Sequence, residues 1–296
     1  MISADAPGRA SMRRMVVSAL VVTGIAVVAS GCSAGATTTS DARVVVAGQA
    51  RLDEATDSVV LPLDKYAGPL DSAISRAQML VTQKCMAQKG FDFQVSTFQG
   101  VIEDPAGFRL FGLWDMKDAE QYGYGLKPDP VNDAMLAMNS NMSAAEQAAL
   151  PTCVAVGRAQ FKDPRSAETN KPAMAPVLER LEDAAYESTM SDPTTKKLIA
   201  AWQKCMTDKG IKVIAGGSGS LGADLNVETT LEQQIKIAVQ DVTCKTAPPD
   251  IIQQLVDIDA SYQVGLIGKY QALLSQQLTQ INAAESAAKK YIADNG

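Results

Sequence analysis

The sequence predicts a mainly α-helical protein: two disulfide-closed helix/short-strand/helix repeats followed by a long C-terminal helix. Three observations predict it. The octapeptide Gln83-Lys84-Cys85-Met86-Ala87-Gln88-Lys89-Gly90 returns 120 residues later as Gln203-Lys204-Cys205-Met206-Thr207-Asp208-Lys209-Gly210, identical at six of eight positions. Each copy is followed by one further cysteine, Cys153 and then Cys244. Finally, Leu255, Ile258, Tyr262, Leu266, Tyr270, Leu274, Leu278 and Ile281 recur at spacings of three and four, the period of one helical face.

The elements follow from local punctuation. Residues 1–31 read as an export segment, 32–58 as a flexible Thr/Ser/Ala-rich tether, 59–170 as the first repeat unit, 171–247 as the second and 248–296 as the C-terminal helix. In the first unit Asp71 is a candidate helix N-cap, Ile74, Ala77, Val81 and Cys85 share a helical face, and Gly90 stops the helix. In the second, Asp192-Pro193 starts a helix, Leu198, Ala201, Trp202 and Cys205 share its face, and Gly210 ends it. The alternating runs Phe91–Val95 and Ile211–Ile214 read as short strands. Capping boxes announce the second cysteine-bearing helix of each unit, Ser143-x-x-Glu146 and Thr229-x-x-Glu232. A further helix is expected from Lys171 to about Thr189, and Pro248-Pro249-Asp250 opens the last one. Its apolar stripe packs back on the repeats or projects toward a partner, and Gly265 and Gly268 are places where it could bend or another helix could come close.

Arg9, Arg13 and Arg14 precede an apolar run from Met15 to Ala29, the length of a signal-peptide core and short of a membrane span. The run ends in Ala29-Ser30-Gly31-Cys32, which resembles the lipobox of bacterial lipoproteins. That resemblance implies cleavage before Cys32, diacylation of its thiol and an amino terminus held in the outer leaflet; two acyl chains suffice for stable anchoring. Removing residues 1–31 takes away three Arg and one Asp, a net +2, and moves the formal charge from −6 to −8. An acidic surface without a Lys/Arg cluster argues against nucleic-acid binding, so membrane contact is expected through the N-terminal lipid alone.

Histidine is absent from the chain. This removes the usual general base near neutral pH and the commonest zinc ligand. Four cysteines in an exported chain read as two disulfides; of three connectivities, duplication favours Cys85 with Cys153 and Cys205 with Cys244. No two of them lie closer than 39 residues, which disfavours a metal site, and no cofactor is indicated. Gly217-Ser218-Gly219-Ser220-Leu221-Gly222 matches a dinucleotide fingerprint but lacks the surrounding βαβ unit. Ser286-Ala287-Ala288-Lys289 matches S-x-x-K but has no Lys-Thr-Gly after it.

One segment departs from the duplication. The cysteines of the first unit are 68 residues apart and those of the second 39, and residues 91–124 hold eight of the fifteen aromatics. Phe108, Phe111, Trp114, Tyr122 and Tyr124, articulated by glycines, form a candidate binding surface; the competing reading is a satellite hydrophobic cluster.

The repeated Cys-Met-x-x-x-Gly ending, Trp202 three residues before Cys205, and Asp241-Val242-Thr243-Cys244-Lys245 resemble a group of actinobacterial secreted lipoproteins, although Thr82 stands where the first copy's Trp would be. The resemblance implies a helical, disulfide-bonded envelope protein with no catalytic role to carry over. Two functions are thus in view: a non-catalytic binding or accessory lipoprotein with an envelope-protein or cell-wall partner, and an extracytoplasmic hydrolase of cell-wall material, which would need paired carboxylates converging on a groove.

Overall fold

The computed structural model describes residues 50–53, 58–69, 72–93, 110–125, 127–128, 130–166, 176–214, 221–226 and 228–296. The export segment, Cys32 and Phe108 lie outside these residues. Within the stretch 32–58 expected as a tether, β1 (Arg51–Asp53) pairs antiparallel with β2 (Ser58–Val60), Leu52 opposite Val59. Ala50 and Val59 are buried in the main core, so the hairpin is held by packing as well as by its ladder. A 3-10 turn, Asp64–Tyr66, follows and buries Leu63 and Tyr66.

Helices α1 (Ala73–Gln88) and α6 (Pro193–Asp208) are the duplicated pair. Ser72 caps α1, with the expected Asp71 outside the described residues, and Asp192 caps α6 by accepting from the Thr194 amide at 2.7 Å. Both end in the same turn. Gly90 has φ +84° and Gly210 φ +74°, and the next amide, Phe91 or Ile211, donates back to the carbonyl of Met86 or Met206 at 3.0 Å. Such left-handed stops are open to glycine at little cost, which is why the octapeptide ends in Gly both times. On α6, Leu198 and Trp202 are buried as expected but Ala201 is exposed.

Each duplicated helix is crossed by a second. Cys85 of α1 bonds Cys153 of α4 (Ala144–Gln160), and Cys205 of α6 bonds Cys244 of α7 (Leu231–Thr246), with Cα separations of 5.4 and 5.8 Å. Both bridges close within one repeat unit. Closing loops of 68 and 39 residues is worth about 4 kcal/mol each on the chain-entropy model. Gly157 lets α4 lie against α1: a Cβ there would sit 2.5 Å from the Gln78 carbonyl. The Ser143/Glu146 capping box forms as predicted, but the second is Thr230 with Gln233, one residue later than expected. The Thr229 hydroxyl is already committed to Asn226 Oδ1 at 2.9 Å, which leaves Thr230 to cap.

The strand expected after Gly210 forms as β3 (Val213–Ile214), paired with β4 (Gly222–Ala223). After Gly90 no strand forms over 91–93; Phe93 is instead buried with Met86 and Cys153. Among the described residues, helices α2 (Met116–Tyr122), α3 (Pro130–Asn141) and α5 (Val177–Ser191) also precede the last; the helix expected from Lys171 begins at Val177, with Pro176 as its N-cap.

Helix α8 (Ile251–Asn295) is the spine. Along its 45 residues it buries Leu255 and Ile258 in the core shared with α6, Leu274 with Leu63, Tyr66 and Leu181, and Ala288 with Ile74 and Ala77 of α1. It packs back rather than projecting. Glu285 on its last turns accepts from the Ala73 amide at 2.8 Å and from Ser72 Oγ at 2.9 Å, placing a carboxylate at the α1 N-terminus where the helix dipole favours it. None of the described helices is long and apolar enough to cross a membrane.

Candidate functional site

The aromatic excursion of the first unit is docked on the second. Phe111 and Trp114 are 1% and 4% exposed, in the same core as Leu198, Trp202, Met206 and Leu255. Phe111 is the one described non-glycine residue with positive φ, +68°, a conformation that costs a residue with a side chain. Its ring is stacked on Tyr186 at 5.9 Å, and the packing holds the strain. Gly112 follows with φ +84°, and a Cβ there would lie 2.2 Å from the Leu221 carbonyl oxygen. Two of the five candidate binding aromatics are therefore interior, Phe108 is outside the described residues, and Tyr122 and Tyr124 are half-buried.

What locks the excursion is a polar network that no single motif in the sequence announces. Lys245 and Asp241, both on α7 and both fully buried, pair at 3.1 Å. Lys245 Nζ also donates to the carbonyls of Leu113 (2.9 Å) and Leu221 (2.7 Å) and lies 5.6 Å over the Trp202 ring. Asp241 accepts from Trp202 Nε1 at 2.7 Å and from the Tyr124 hydroxyl at 2.9 Å, while that hydroxyl accepts from the Ala223 amide at 3.3 Å. Burial first, then the Asp241 charge, pushes the Tyr124 phenol far above its ordinary range, so it stays a donor. A buried charge is tolerated when its hydrogen-bonding capacity is met, and here both ends are met. The residues at the same offsets from Cys153 are Leu150 and Val154, so the network exists in the second unit only.

A second polar region opens to a cavity. The cavity measures about 330 Å³ and is walled by Ala67, Pro176 and Leu178, with Arg165, Glu179, Glu182 and Gln277 as its polar lining. Arg165 is held: Nε meets Asp163 Oδ1 at 2.9 Å, Nη2 meets Glu285 Oε1 at 3.0 Å, and Nη1 donates to the Pro69 carbonyl at 3.0 Å. Gln277, 7% exposed on α8, accepts from the Leu178 amide at 3.3 Å, and its Nε2 has no hydrogen-bond partner in the protein.

Around Glu182 the charges have one sign. Burial lifts its carboxyl to about 7, helped by Asp64 on the 3-10 turn, Asp183 and Glu179 on α5, and Asp259 on α8. Burial likewise lifts Asp259 to about 6, against hydrogen bonds from Thr189 Oγ1 (3.0 Å) and Gln263 Nε2 (2.7 Å) that favour its charged form. Asp64 is raised as well, by burial. Glu179 and Glu182 look in the sequence like the solvent face of an amphipathic helix. Only the fold brings Asp64 and Asp259 near them, so no spacing rule could have found the site. Among the described residues no three His, Cys, Asp or Glu converge closely enough to hold a metal ion.

Comparison of the chain with models of protein families, with curated proteins and with solved structures finds no match.

Proposed function

We propose that this chain is a lipid-anchored, extracytoplasmic binding or accessory module of the bacterial envelope, tethered through Cys32 and acting without catalysis. The observation that carries the reading is the pairing of an export run that ends at Ala-Ser-Gly-Cys32 with two disulfides formed inside the repeats. Disulfides persist in oxidising compartments, and the export run supplies the route to one. The Lys245–Asp241 pair, the most buried charges described, is sealed from solvent and serves cohesion between the excursion and the second unit. Cys32→Ser is the test: the variant is expected in the soluble fraction or as an uncleaved precursor. Unchanged processing and membrane fractionation would end the lipoprotein reading. Affinity capture of the anchored parent, with Cys32→Ser as control, then identifies an envelope-protein or cell-wall partner.

The hydrolase reading has one observation in its favour, the carboxyls of Glu179 and Glu182 at a cavity, one of them titrating near neutrality. Glycoside cleavage requires two carboxyls flanking the scissile bond. Glu179 and Glu182 are three residues apart on one helix, a spacing that sets side chains side by side on the same face. Such a pair addresses a ligand from one direction, which suits holding a cation better than cleaving a bond. Release of reducing sugars from cell-wall material by the parent but not by Glu182→Gln would reverse that preference.

A further inference from the structure

The cavity between α5, α8 and the segment after the 3-10 turn combines three properties that together specify a ligand. Its charged lining is unbalanced: Arg165 is matched by Asp163 and Glu285, whereas Glu179 and Glu182 add two carboxyls with Asp64, Asp183 and Asp259 near Glu182. Ala67, Pro176 and Leu178 give it an apolar wall. Gln277 is nine-tenths buried, lines the cavity, and keeps an amide N–H₂ without a protein partner. A buried donor left unsatisfied costs free energy, and a ligand oxygen removes that cost.

We propose that this cavity is a binding site for a small organic ammonium carrying a short aliphatic stem and a hydroxyl or carbonyl oxygen. The ammonium sits against Glu179 and Glu182, the stem lies on Leu178 and Pro176, and the oxygen accepts from Gln277 Nε2. About 330 Å³ is at the small end of the range for small-molecule sites, which fits such a ligand and excludes a folded partner's side. An inorganic cation fits less well, since an apolar wall offers it no oxygens and divalent ions need several. The proposal rests on the binding-module reading but not on the lipid anchor.

Occupancy is coupled to protons. The site takes the cation when Glu182 is ionised, and the groups facing it, Asp64 from the 3-10 turn, Glu179 and Asp183 from α5 and Asp259 from α8, all oppose that ionisation. With its carboxyl titrating at about 7, the ionised fraction falls roughly ten-fold between pH 8 and pH 6, and the affinity for a permanently charged amine falls by about the same factor.

The test is calorimetric titration of the mature, disulfide-bonded chain with 5-amino-1-pentanol and with 1,5-pentanediol, which differ only in an ammonium for a hydroxyl. The amine, protonated throughout this range, is expected to bind at pH 8 at least ten-fold more tightly than the diol and to lose about ten-fold at pH 6. Glu182→Gln is expected to cut the preference, leaving only the share due to Glu179, and to abolish the pH dependence, and Gln277→Leu to weaken amine and diol alike. Glu182→Gln removes like-charge repulsion, so its melting temperature should equal or exceed the parent's and confirm that it folds. Competition by vesicles carrying ethanolamine headgroups, absent with choline-only vesicles, would assign the amine to a lipid; failure to compete would assign it to a soluble ligand. Equal affinity for amine and diol, no binding of either, or an unchanged preference in Glu182→Gln overturns the proposal. Partner capture by the anchored protein would survive that failure, which separates it from failure of the binding-module reading.

Discussion

Replacing Lys245 by Met keeps an unbranched side chain one heavy atom shorter and removes its charge. Asp241 would then remain fully buried with only Trp202 Nε1 and the Tyr124 hydroxyl as its hydrogen-bond donors described here, and the carbonyls of Leu113 and Leu221 would each lose a donor. Removing one member of a buried pair costs about 3 to 5 kcal/mol. The two carbonyls add to this, at about 1 kcal/mol or more each for a buried acceptor left unpaired, so the upper end of the range is expected. For a body of this size a loss of 1 kcal/mol lowers the melting temperature by about 2 to 4 °C, and the variant should melt roughly 10 to 20 °C below the parent. Guanidinium unfolding followed by tryptophan fluorescence is the natural assay, because Trp202 lies 5.6 Å under the ammonium and Trp114 shares its core. The slope with denaturant should be unchanged while the midpoint falls. Pairing the change with Asp241→Asn should recover part of the loss, since the uncompensated charge is then gone. A loss below about 1 kcal/mol in the single variant, or no recovery in the double, would refute the claim that this pair is sealed and coupled.

Three further outcomes are expected. Cys205→Ala with Cys244→Ala should cost about 2 to 5 kcal/mol, and non-reducing peptide mapping of the parent should find Cys85 joined to Cys153 and Cys205 to Cys244, crosslinks between units being the contrary result. Glu182 and Asp259 have folded-state values of about 7 and about 6, above their ordinary 4.5 and 3.8, so the folded state holds protons the unfolded chain has released. Stability should therefore fall as pH rises from about 4 to 7, with a flatter profile in Glu182→Gln by scanning calorimetry. Gly112→Ala should destabilise strongly because its Cβ would meet the Leu221 carbonyl, whereas Gly268→Ala, with open space around it in mid-helix, should stabilise by about 0.5 to 1 kcal/mol; thermal melting of the two variants checks both signs.

Sequence reasoning reached what is local or repeated. The stops at Gly90 and Gly210, the cap at Asp192, the Ser143 box and the pairing of all four cysteines follow from residues adjacent in the chain or related by the duplication. It failed where two local solutions compete. Thr229 and Thr230 both precede an acid or amide at the right distance, and a turn-forming hydrogen bond from Thr229 to Asn226 decided between them. Phe91 to Val95 alternates like a strand, but over the described residues 91–93 none forms, and Phe93 packs with Met86 and Cys153. The cavity was illegible because its charges come from three elements far apart in sequence, and their effect on Glu182 is a property of the assembled fold.

The asymmetry between the two copies has a physical order. In the first, Thr82 turns its hydroxyl back to the Gln78 carbonyl at 2.8 Å, and Gly157 allows α1 and α4 to meet closely. In the second, Trp202 fills the corresponding space, and its indole N–H, once buried, needs an acceptor. Asp241 supplies it; Asp241 then needs a cation, and Lys245 supplies that; Lys245 needs carbonyl oxygens, and one of the two it finds, Leu113, belongs to the long excursion of the other copy. The excursion's length and its rings are thus tied to a single tryptophan in the opposite unit. Trp202→Thr, which makes the second copy like the first, should consequently loosen residues 110–125, and faster amide exchange over Leu110–Gly125 than over α1 is the expected reading. If exchange rises equally in both units, the chain of dependence from Trp202 through Asp241 and Lys245 to Leu113 is not what holds the excursion.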